Sequence, residues 1–168
     1  MSTHEDRIDK LSLMFESARS YLGGAKIIMA SEGIEDDHGV AYPTLPVITC
    51  SVFAIELQLK LLLEALELAR PKGDGHDLNL LFNALPVSFQ EDVLAFQSSY
   101  TGLSACEARS LISEEKDTFK RWRYAYEEEK LKTQPSALFN LALALSELIK
   151  SRYQIERSSN GWLRVDAT

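Results

Sequence analysis

The stretch VITCSVFAIELQLKLLLEALEL, residues 47–68, decides the fold class because it is the longest apolar segment of the chain. It is long enough for a helix of about six turns, and Pro71, Gly73 and Gly75 break the pattern after it. A membrane span does not tolerate several polar and charged side chains near its centre. This stretch contains Glu56, Gln58, Lys60, Glu64 and Glu67. The sequence therefore predicts a buried core helix rather than a membrane span.

Length and composition are those of one ordinary globular domain. The chain has 168 residues, of which 45% are hydrophobic and 26% are charged, and this excludes a wholly disordered or collagen-like protein. A chain of this length can bury enough surface to fold without a metal or a disulfide. Eight Gly and five Pro are too few for the turns of an all-β domain. We predict a single helical domain over residues 1–157 and a short, frayed tail over residues 158–168.

Charge and cysteine content bear on partners and compartment. Lys and Arg total 18 against 25 Asp and Glu, a formal net charge of −7, which argues against a DNA-coating protein and leaves selective RNA contact open. Cys50 and Cys106 form no disulfide framework, which favours a reducing compartment. Residues 1–10 are charged and lack the apolar core of a signal peptide. These features predict a cytoplasmic protein.

Apolar residues at helical spacing predict an all-α protein. Its long helices are expected to form an up-and-down bundle and to lie over residues 5–29, 47–68, 114–129 and 136–156. Two short helices are expected between them, one over 78–85 with Asp77 as its N-cap and one over 88–99 that ends at Thr101 and Gly102. Residues 31–46 are predicted to be a loop, and residues 103–113 are ambiguous. The predicted core includes Phe53, Leu57, Leu61, Phe82, Phe119, Trp122, Leu138 and Leu145.

A stripe of charge follows one side of the predicted helix over residues 47–68. At about 100° per residue, its four members fall within roughly 80° of the circumference. They are Glu56, Lys60, Glu64 and Glu67. One interpretation is a solvated edge with i,i+4 pairs between Glu56 and Lys60 and between Lys60 and Glu64. The other interpretation directs Glu56 inward, towards a cation on another helix.

Bases and aromatic residues alternate in the stretch FKRWRYAYE, residues 119–127. Phe119, Trp122 and Tyr126 share one helical face, and Arg123 lies within about 40° of it. Arg123 could stack on an aromatic ring, pair with a buried carboxylate or bind a phosphate. Aromatic stripes at this spacing are usually core. Six bases and four acids occur between residues 116 and 132, so nucleic-acid binding is the weaker interpretation.

The loop GDGHDL, residues 73–78, contains the one histidine in a position that suggests function. Asp77 could orient His76 as a general base. Alternatively, both residues cap the short helix that follows. The sequence has no His/Cys spacing typical of a metal site and no phosphate-binding or dinucleotide-binding motif, so we predict neither a metal nor a cofactor.

Three segments in order resemble the HEPN superfamily, in particular small bacterial HEPN-domain proteins. They are FAIELQLK at 53–60, GHDL at 75–78 with Leu81 and Phe82 after it, and WRYAYE at 122–127. The resemblance covers roughly residues 45 to 130. It implies an up-and-down helical bundle that commonly dimerises. Proteins of this superfamily include ribonucleases of toxin–antitoxin and anti-phage systems, partners of minimal nucleotidyltransferases, and inactive binding proteins.

The chain departs from the ribonuclease pattern of that superfamily, in which a histidine follows an arginine by four to six residues on a late helix. No histidine follows Arg121 or Arg123. Arg70 and His76 have the spacing, but Pro71, Gly73 and Gly75 between them prevent a helix. We therefore favour a binding or assembly module without conventional ribonuclease activity. Its polar cluster is predicted to contain Glu56, Lys60, Asp77, Tyr124 and Glu127.

The expected partners are a second copy of the chain, a nucleotidyltransferase or another protein, and RNA, without membrane contact. The alternative is a metal-independent ribonuclease in which Arg123 binds the scissile phosphate and His76 is the base. A third interpretation is a helical scaffold whose charged stripes serve packing alone. A buried carboxylate or guanidinium without a partner is costly, so we also predict that Glu56 pairs with Arg123, with His76 and Tyr124 at the rim of the site.

Overall fold

The computed structural model describes residues 4–31, 33–37, 39–41, 43–72, 75–116, 134–157 and 163–166. Within these ranges the chain is mostly helical, as predicted. The helices are α1 (His4–Met29), α2 (Thr44–Ala65), α3 (Leu78–Asn83), α4 (Val87–Thr101), α5 (Ala105–Glu114) and α6 (Pro135–Arg152). The strands are β1 (Ile34–Asp36), β2 (Gly39–Ala41), β3 (Gln154–Arg157) and β4 (Leu163–Asp166).

Helix α2 lies at the centre of the core and packs along α1 and α6, while α6 also packs against α4. Helix α1 turns one apolar stripe inward, because its buried residues recur every three or four positions. They are Ile8, Leu11, Phe15, Ala18, Leu22 and Ala25. Helix α2 is long and apolar enough to cross a membrane, but 61% of its most apolar window is buried within the protein. Its apolar surface therefore serves the core.

Both ends of α2 lie three residues earlier than predicted. Pro46 is accommodated in the first turn, where no helical hydrogen bond needs its nitrogen. At the other end the Leu68 amide donates to the Leu63 carbonyl at 2.8 Å, and the Glu67 amide donates to the Glu64 carbonyl at 3.1 Å. These two bonds form a Schellman motif. Glu67 has a φ of +56° there, so the prediction that it continues the charged stripe is wrong.

Local capping signals set the boundaries of the short helices. The Leu80 amide donates to Oδ1 of Asp77 at 2.9 Å, which confirms Asp77 as the N-cap of α3. Gly102 ends α4 with a left-handed φ of +71°. The ambiguous residues 103–113 belong mostly to α5, whose N-cap Ser104 forms a capping box with Glu107.

The predicted helix over residues 114–129 does not begin at residue 114, because Glu114 is the last residue of α5. Residues 117–129, which make up the rest of that predicted helix after Lys116, lie outside the described residues.

The chain after α6 forms an antiparallel hairpin in which Ile155 pairs with Val165. Helix α6 therefore ends at Arg152 rather than near Glu156, and the prediction of a frayed tail is wrong for β4. Val165 is fully buried, and its amide donates to Oγ of Ser12 on α1 at 3.0 Å. A second antiparallel hairpin, β1–β2, occupies part of the predicted loop over 31–46.

The predicted core is confirmed for four residues, Leu61, Phe82, Leu138 and Leu145, which are all buried. It is wrong for Phe53 and Leu57, which are half-buried on the outer side of α2. The Phe53 ring stacks on Tyr21 of α1 with centroids 5.0 Å apart. Phe119 and Trp122 lie outside the described residues.

Candidate functional site

Helix α2 places a carboxylate inside the protein. Glu56 is 5% exposed, and Ile55 and Leu59, which are close to it on the same helix, are also buried. The interpretation of the whole charged stripe as a solvated edge is therefore wrong at this residue. Burying an unpaired carboxylate costs several kcal/mol, so Glu56 needs partners of positive charge or hydrogen-bonding capacity.

The first partner comes from the next turn of the same helix. Nζ of Lys60 donates to Oε1 of Glu56 at 2.6 Å, and most of the Lys60 side chain is buried. This confirms the i,i+4 pair between Glu56 and Lys60. Glu64, the other predicted partner of Lys60, instead accepts from Lys10 at 2.7 Å and from Arg70 at 3.4 Å.

The second partner comes from the loop before α3. Nδ1 of His76 lies 2.9 Å from Oε2 of Glu56, so the two oxygens of this carboxylate hold two different side chains. Since a carboxylate only accepts, this contact places a proton on Nδ1 and makes Nε2 the basic nitrogen of the neutral ring. The His76 side chain is 45% exposed, which puts it at the mouth of the cluster.

Asp77 does not orient His76, although sequence adjacency suggested that it could. Its carboxylate caps α3 through the Leu80 amide. The hypothesis that Asp77 fixes the imidazole is wrong because the helix N-terminus already uses that side chain. The capping hypothesis is confirmed for Asp77 and is wrong for His76, whose Nδ1 contacts Glu56 instead.

The loop itself lies over the lysine. A Cβ atom added to Gly75 would stand 3.8 Å from Nζ of Lys60, an ordinary van der Waals distance. The backbone at Gly75 therefore approaches the ammonium group while His76 reaches the carboxylate. We call Glu56, Lys60 and His76 the acid–base cluster. Its formal charge is zero with a neutral imidazole and +1 with a protonated one, which suits an anionic or hydrogen-bonding ligand.

The end of α5 meets the same loop. The Leu78 amide donates to the Lys116 carbonyl at 3.4 Å, so the chain leaves α5 beside the start of α3. The next residues, 117–133, contain Arg123, Tyr124 and Glu127 and lie outside the described residues. The pairing of Glu56 with Arg123 and the place of Tyr124 at the rim therefore stay predictions.

Within the described ranges, no group of three His, Cys, Asp or Glu side chains is placed to hold a metal ion. The acid–base cluster contributes one carboxylate and one imidazole, and its third side chain is a cation. The chemistry that it offers is proton transfer and charge pairing at His76 and Lys60.

Sequence reasoning missed two further buried polar residues on α2, Ser51 and Gln58. Gln58 is fully buried, and neither its Oε1 nor its Nε2 has a hydrogen-bond partner among the described residues. It lies about 160° around the helix from Glu56, so it belongs to a different face. The position of Gln58 within the apolar stretch over residues 47–68 is the sequence signal for its burial.

No family model, no curated protein and no solved structure matches this chain. The functional interpretation therefore depends on the geometry of the acid–base cluster and on the sequence segments that surround it.

Proposed function

We propose that the chain is a HEPN-like helical binding module, built as an up-and-down bundle of four long helices, that uses the acid–base cluster to contact its ligand. The observation that carries this proposal is the buried carboxylate of Glu56, which holds Lys60 with one oxygen and His76 with the other. A buried charge of this kind costs stability and serves to position the two side chains that it holds. The order of the segments around Glu56, His76 and Arg123 also supports the resemblance.

The ligand that we propose for the cluster is RNA, contacted through its phosphates. Lys60 and His76 supply cationic or proton-donating groups near the surface. Residues 116–132, which begin beside the cluster at Lys116, carry six bases and four acids in the sequence, so their net charge is positive. No histidine follows Arg123, so we propose binding without conventional cleavage. Such a module fits a cytoplasmic toxin–antitoxin or anti-phage system.

Fluorescence anisotropy with labelled single-stranded and duplex RNA oligonucleotides tests this proposal. We expect His76→Ala to weaken binding by about tenfold, the effect of losing roughly 1.4 kcal/mol of contact energy. Lys150→Ala is the control, because Lys150 is an exposed lysine on α6 that pairs with Glu147. RNA affinity no tighter than about 10⁻⁴ M, or equal losses in both variants, would contradict a specific RNA site at the cluster.

The alternative is a metal-independent ribonuclease, and one observation favours it. The Glu56 carboxylate holds Nδ1 of His76, which is how a carboxylate prepares an imidazole to act as a base through Nε2. In this alternative Arg123 binds the scissile phosphate. Incubation of the pure protein with mixed RNA, with and without EDTA, separates the two functions. Cleavage that survives EDTA and disappears in His76→Ala would establish the ribonuclease.

We also propose a homodimer and a protein partner such as a nucleotidyltransferase, both on the resemblance alone. The apolar residues of α2 do not support a dimer, because Leu59, Leu61 and Leu62 are buried within a single chain. Light scattering across micromolar concentrations tests the dimer. A mass of one chain throughout that range would refute it.

A further inference from the structure

An apolar cleft opens where the end of α1 meets the starts of α2 and α6. Its volume is about 140 Å³, and its walls include Ile28, Met29, Pro43, Val47 and Pro135. A cavity of about this size holds one benzene-sized group. The cleft lies well away from the acid–base cluster, because Val47 precedes Glu56 by nine residues, or about 13 Å along α2.

Exposed large apolar side chains also occur at the two helix ends that meet at this cleft, and one of them, Met29, is part of its wall. Ile27 is 75% exposed, and Met29 and Leu45 are each exposed by more than two fifths. A single exposed apolar residue is ordinary, but several beside an apolar cleft are typical of a docking surface. Ile27 and Met29 are in the last turn of α1, and Leu45 is in the first turn of α2.

Among the segments that contribute to the cleft, the one that joins α1 to α2 is acidic. The sequence contains no Lys or Arg from residue 27 to residue 59, while acids stand at 32, 35, 36 and 37. Glu35 and Asp36 are in β1, and Asp37 follows them. Ser31 and Pro43, on either side of the β1–β2 hairpin in the sequence, both line the cleft. Glu35 and Asp37 are exposed. Lys26, on α1, is the nearest base along the chain on the other side.

We propose that this surface docks a basic segment of another protein, which inserts one aliphatic or aromatic side chain into the cleft and places Lys or Arg against the hairpin acids. The cleft volume limits the anchor to one side chain of about benzene size. The residues next to that anchor in the partner are expected to be Lys or Arg, because their charge is complementary to that of the hairpin acids. Anionic lipid is excluded as the occupant, because the hairpin acids repel it.

Labelled peptides of about twelve residues test the docking surface by fluorescence anisotropy. Each peptide carries one Leu, Phe or Trp, and its other residues include several lysines, several glutamates or neither. A further lysine peptide has Ser in place of the anchor. We expect measurable affinity only for the peptides that carry both the anchor and the lysines. The affinity should fall when the salt concentration is raised, since the acids are exposed.

Two variants of α1 form a matched pair. Met29→Asp should weaken the lysine-bearing peptide by about tenfold or more, because it places a charge in the cleft wall. Leu13→Asp changes another exposed apolar residue of α1, about 24 Å away along the helix, and should leave the affinity unchanged. If Met29→Asp fails to fold by circular dichroism, Met29→Ser replaces it and should also weaken the peptide, because it removes the same apolar wall. Glu35→Gln combined with Asp37→Asn should weaken only the lysine-bearing peptides.

Several results would overturn the proposal. One is the absence of peptide binding at about 1 mM. A second is equal affinity for the lysine and glutamate peptides, and a third is unchanged affinity in the folded cleft variant. Binding to phosphatidylglycerol vesicles without binding to peptides would identify a membrane surface instead. None of these results depends on RNA binding at the acid–base cluster, so the two proposals fail separately.

Discussion

Nδ1 of His76 lies 2.9 Å from Oε2 of Glu56, a contact across twenty residues of sequence that ties the loop before α3 to the middle of α2. The carboxylate is almost fully buried, and the imidazole reaches the surface. This relationship connects the interior of the helical core to the one described histidine that the sequence singled out. Under the proposed function, stability and ligand contact therefore depend on the same two side chains.

Removing the charge of Glu56 should destabilise the fold. In Glu56→Gln the Lys60 ammonium loses its counter-ion in a mostly buried position, and His76 loses an acceptor. We expect a loss of about 3 kcal/mol in the free energy of unfolding, the lower end of the range for a broken buried pair. Urea denaturation measures this loss.

Glu147→Gln is the matched control, since Glu147 pairs with Lys150 on the exposed side of α6. It should lose less than about 1 kcal/mol. Equal losses in the two variants would mean that the buried pair contributes no more than a surface pair does.

Replacing Gln58 with methionine should stabilise the protein. The Gln58 amide is fully buried, with no hydrogen-bond partner for either atom among the described residues. Gln58→Met keeps the side-chain length and should raise the free energy of unfolding by about 1–3 kcal/mol.

Gln90→Met is the comparison variant and should have the opposite effect. The Gln90 amide donates to the Leu85 carbonyl at 2.8 Å and accepts from Arg109 at 2.9 Å. Both stabilities are read from thermal and urea unfolding. A destabilised Gln58→Met would show that the amide has a partner in solution.

The left-handed backbone at Glu67 predicts a difference between two substitutions. Glu67→Gly and Glu67→Ala both remove the ion pair with Arg7. Only glycine adopts a φ of +56° without a Cβ penalty, so Glu67→Gly should exceed Glu67→Ala in stability by about 1 kcal/mol. Urea denaturation of the two variants, compared directly, measures this difference. If alanine proves equal to glycine, the end of α2 does not depend on that backbone conformation.

Glu64 predicts a dependence of stability on pH. The hydrogen bond from Lys10 lowers the pKa of Glu64 below the ordinary value of 4.5. A group whose folded pKa is depressed stabilises the fold above its unfolded pKa, and that contribution disappears as the pH falls through the folded pKa.

The wild type should therefore exceed Glu64→Gln in stability by less than about 1 kcal/mol at neutral pH, since Glu64 is partly exposed. The difference should shrink as the pH falls below 4.5. Urea denaturation at a series of pH values measures it, and a difference that stays constant down to about pH 3 would contradict the prediction.

Local signals account for the parts of the fold that the sequence predicted. The spacing of the buried residues in α1, the cap at Asp77 and the glycine at 102 each act within one or two turns. Helix α5 also has such a signal, the capping box of Ser104 and Glu107. The hairpin β3–β4 also has a local signal in the sequence, Asn160-Gly161 between its two strands. Its docking has no local signal, because the Val165 amide donates to Ser12 on α1, at the far end of the chain.

The residues of the candidate site and its pair of Glu56 with Lys60 were predictable from the sequence, but its pair of Glu56 with His76 was not. The sequence singled out Glu56, Lys60 and His76. For His76 it offered two hypotheses, orientation by the neighbouring Asp77 or a cap of the helix that follows, and both depend on proximity along the chain. The structure assigns Asp77 to the start of α3 and His76 to Glu56. Whether a charged residue of α2 is buried depends on the loop that folds over it. The spacing of apolar residues within α2 gives no information about the position of that loop.

The contact between Ser12 and Val165 has a consequence for the order of events during synthesis. The two residues are 153 positions apart, so α1 leaves the ribosome long before β4 exists. At roughly 5–20 residues per second, the delay is about 8–30 s. Throughout that interval the surface of α1 around Ser12 has no strand to cover it, and a chaperone or a neighbouring nascent chain can reach it. Formation of the β3–β4 hairpin therefore protects this surface of α1 from misassembly.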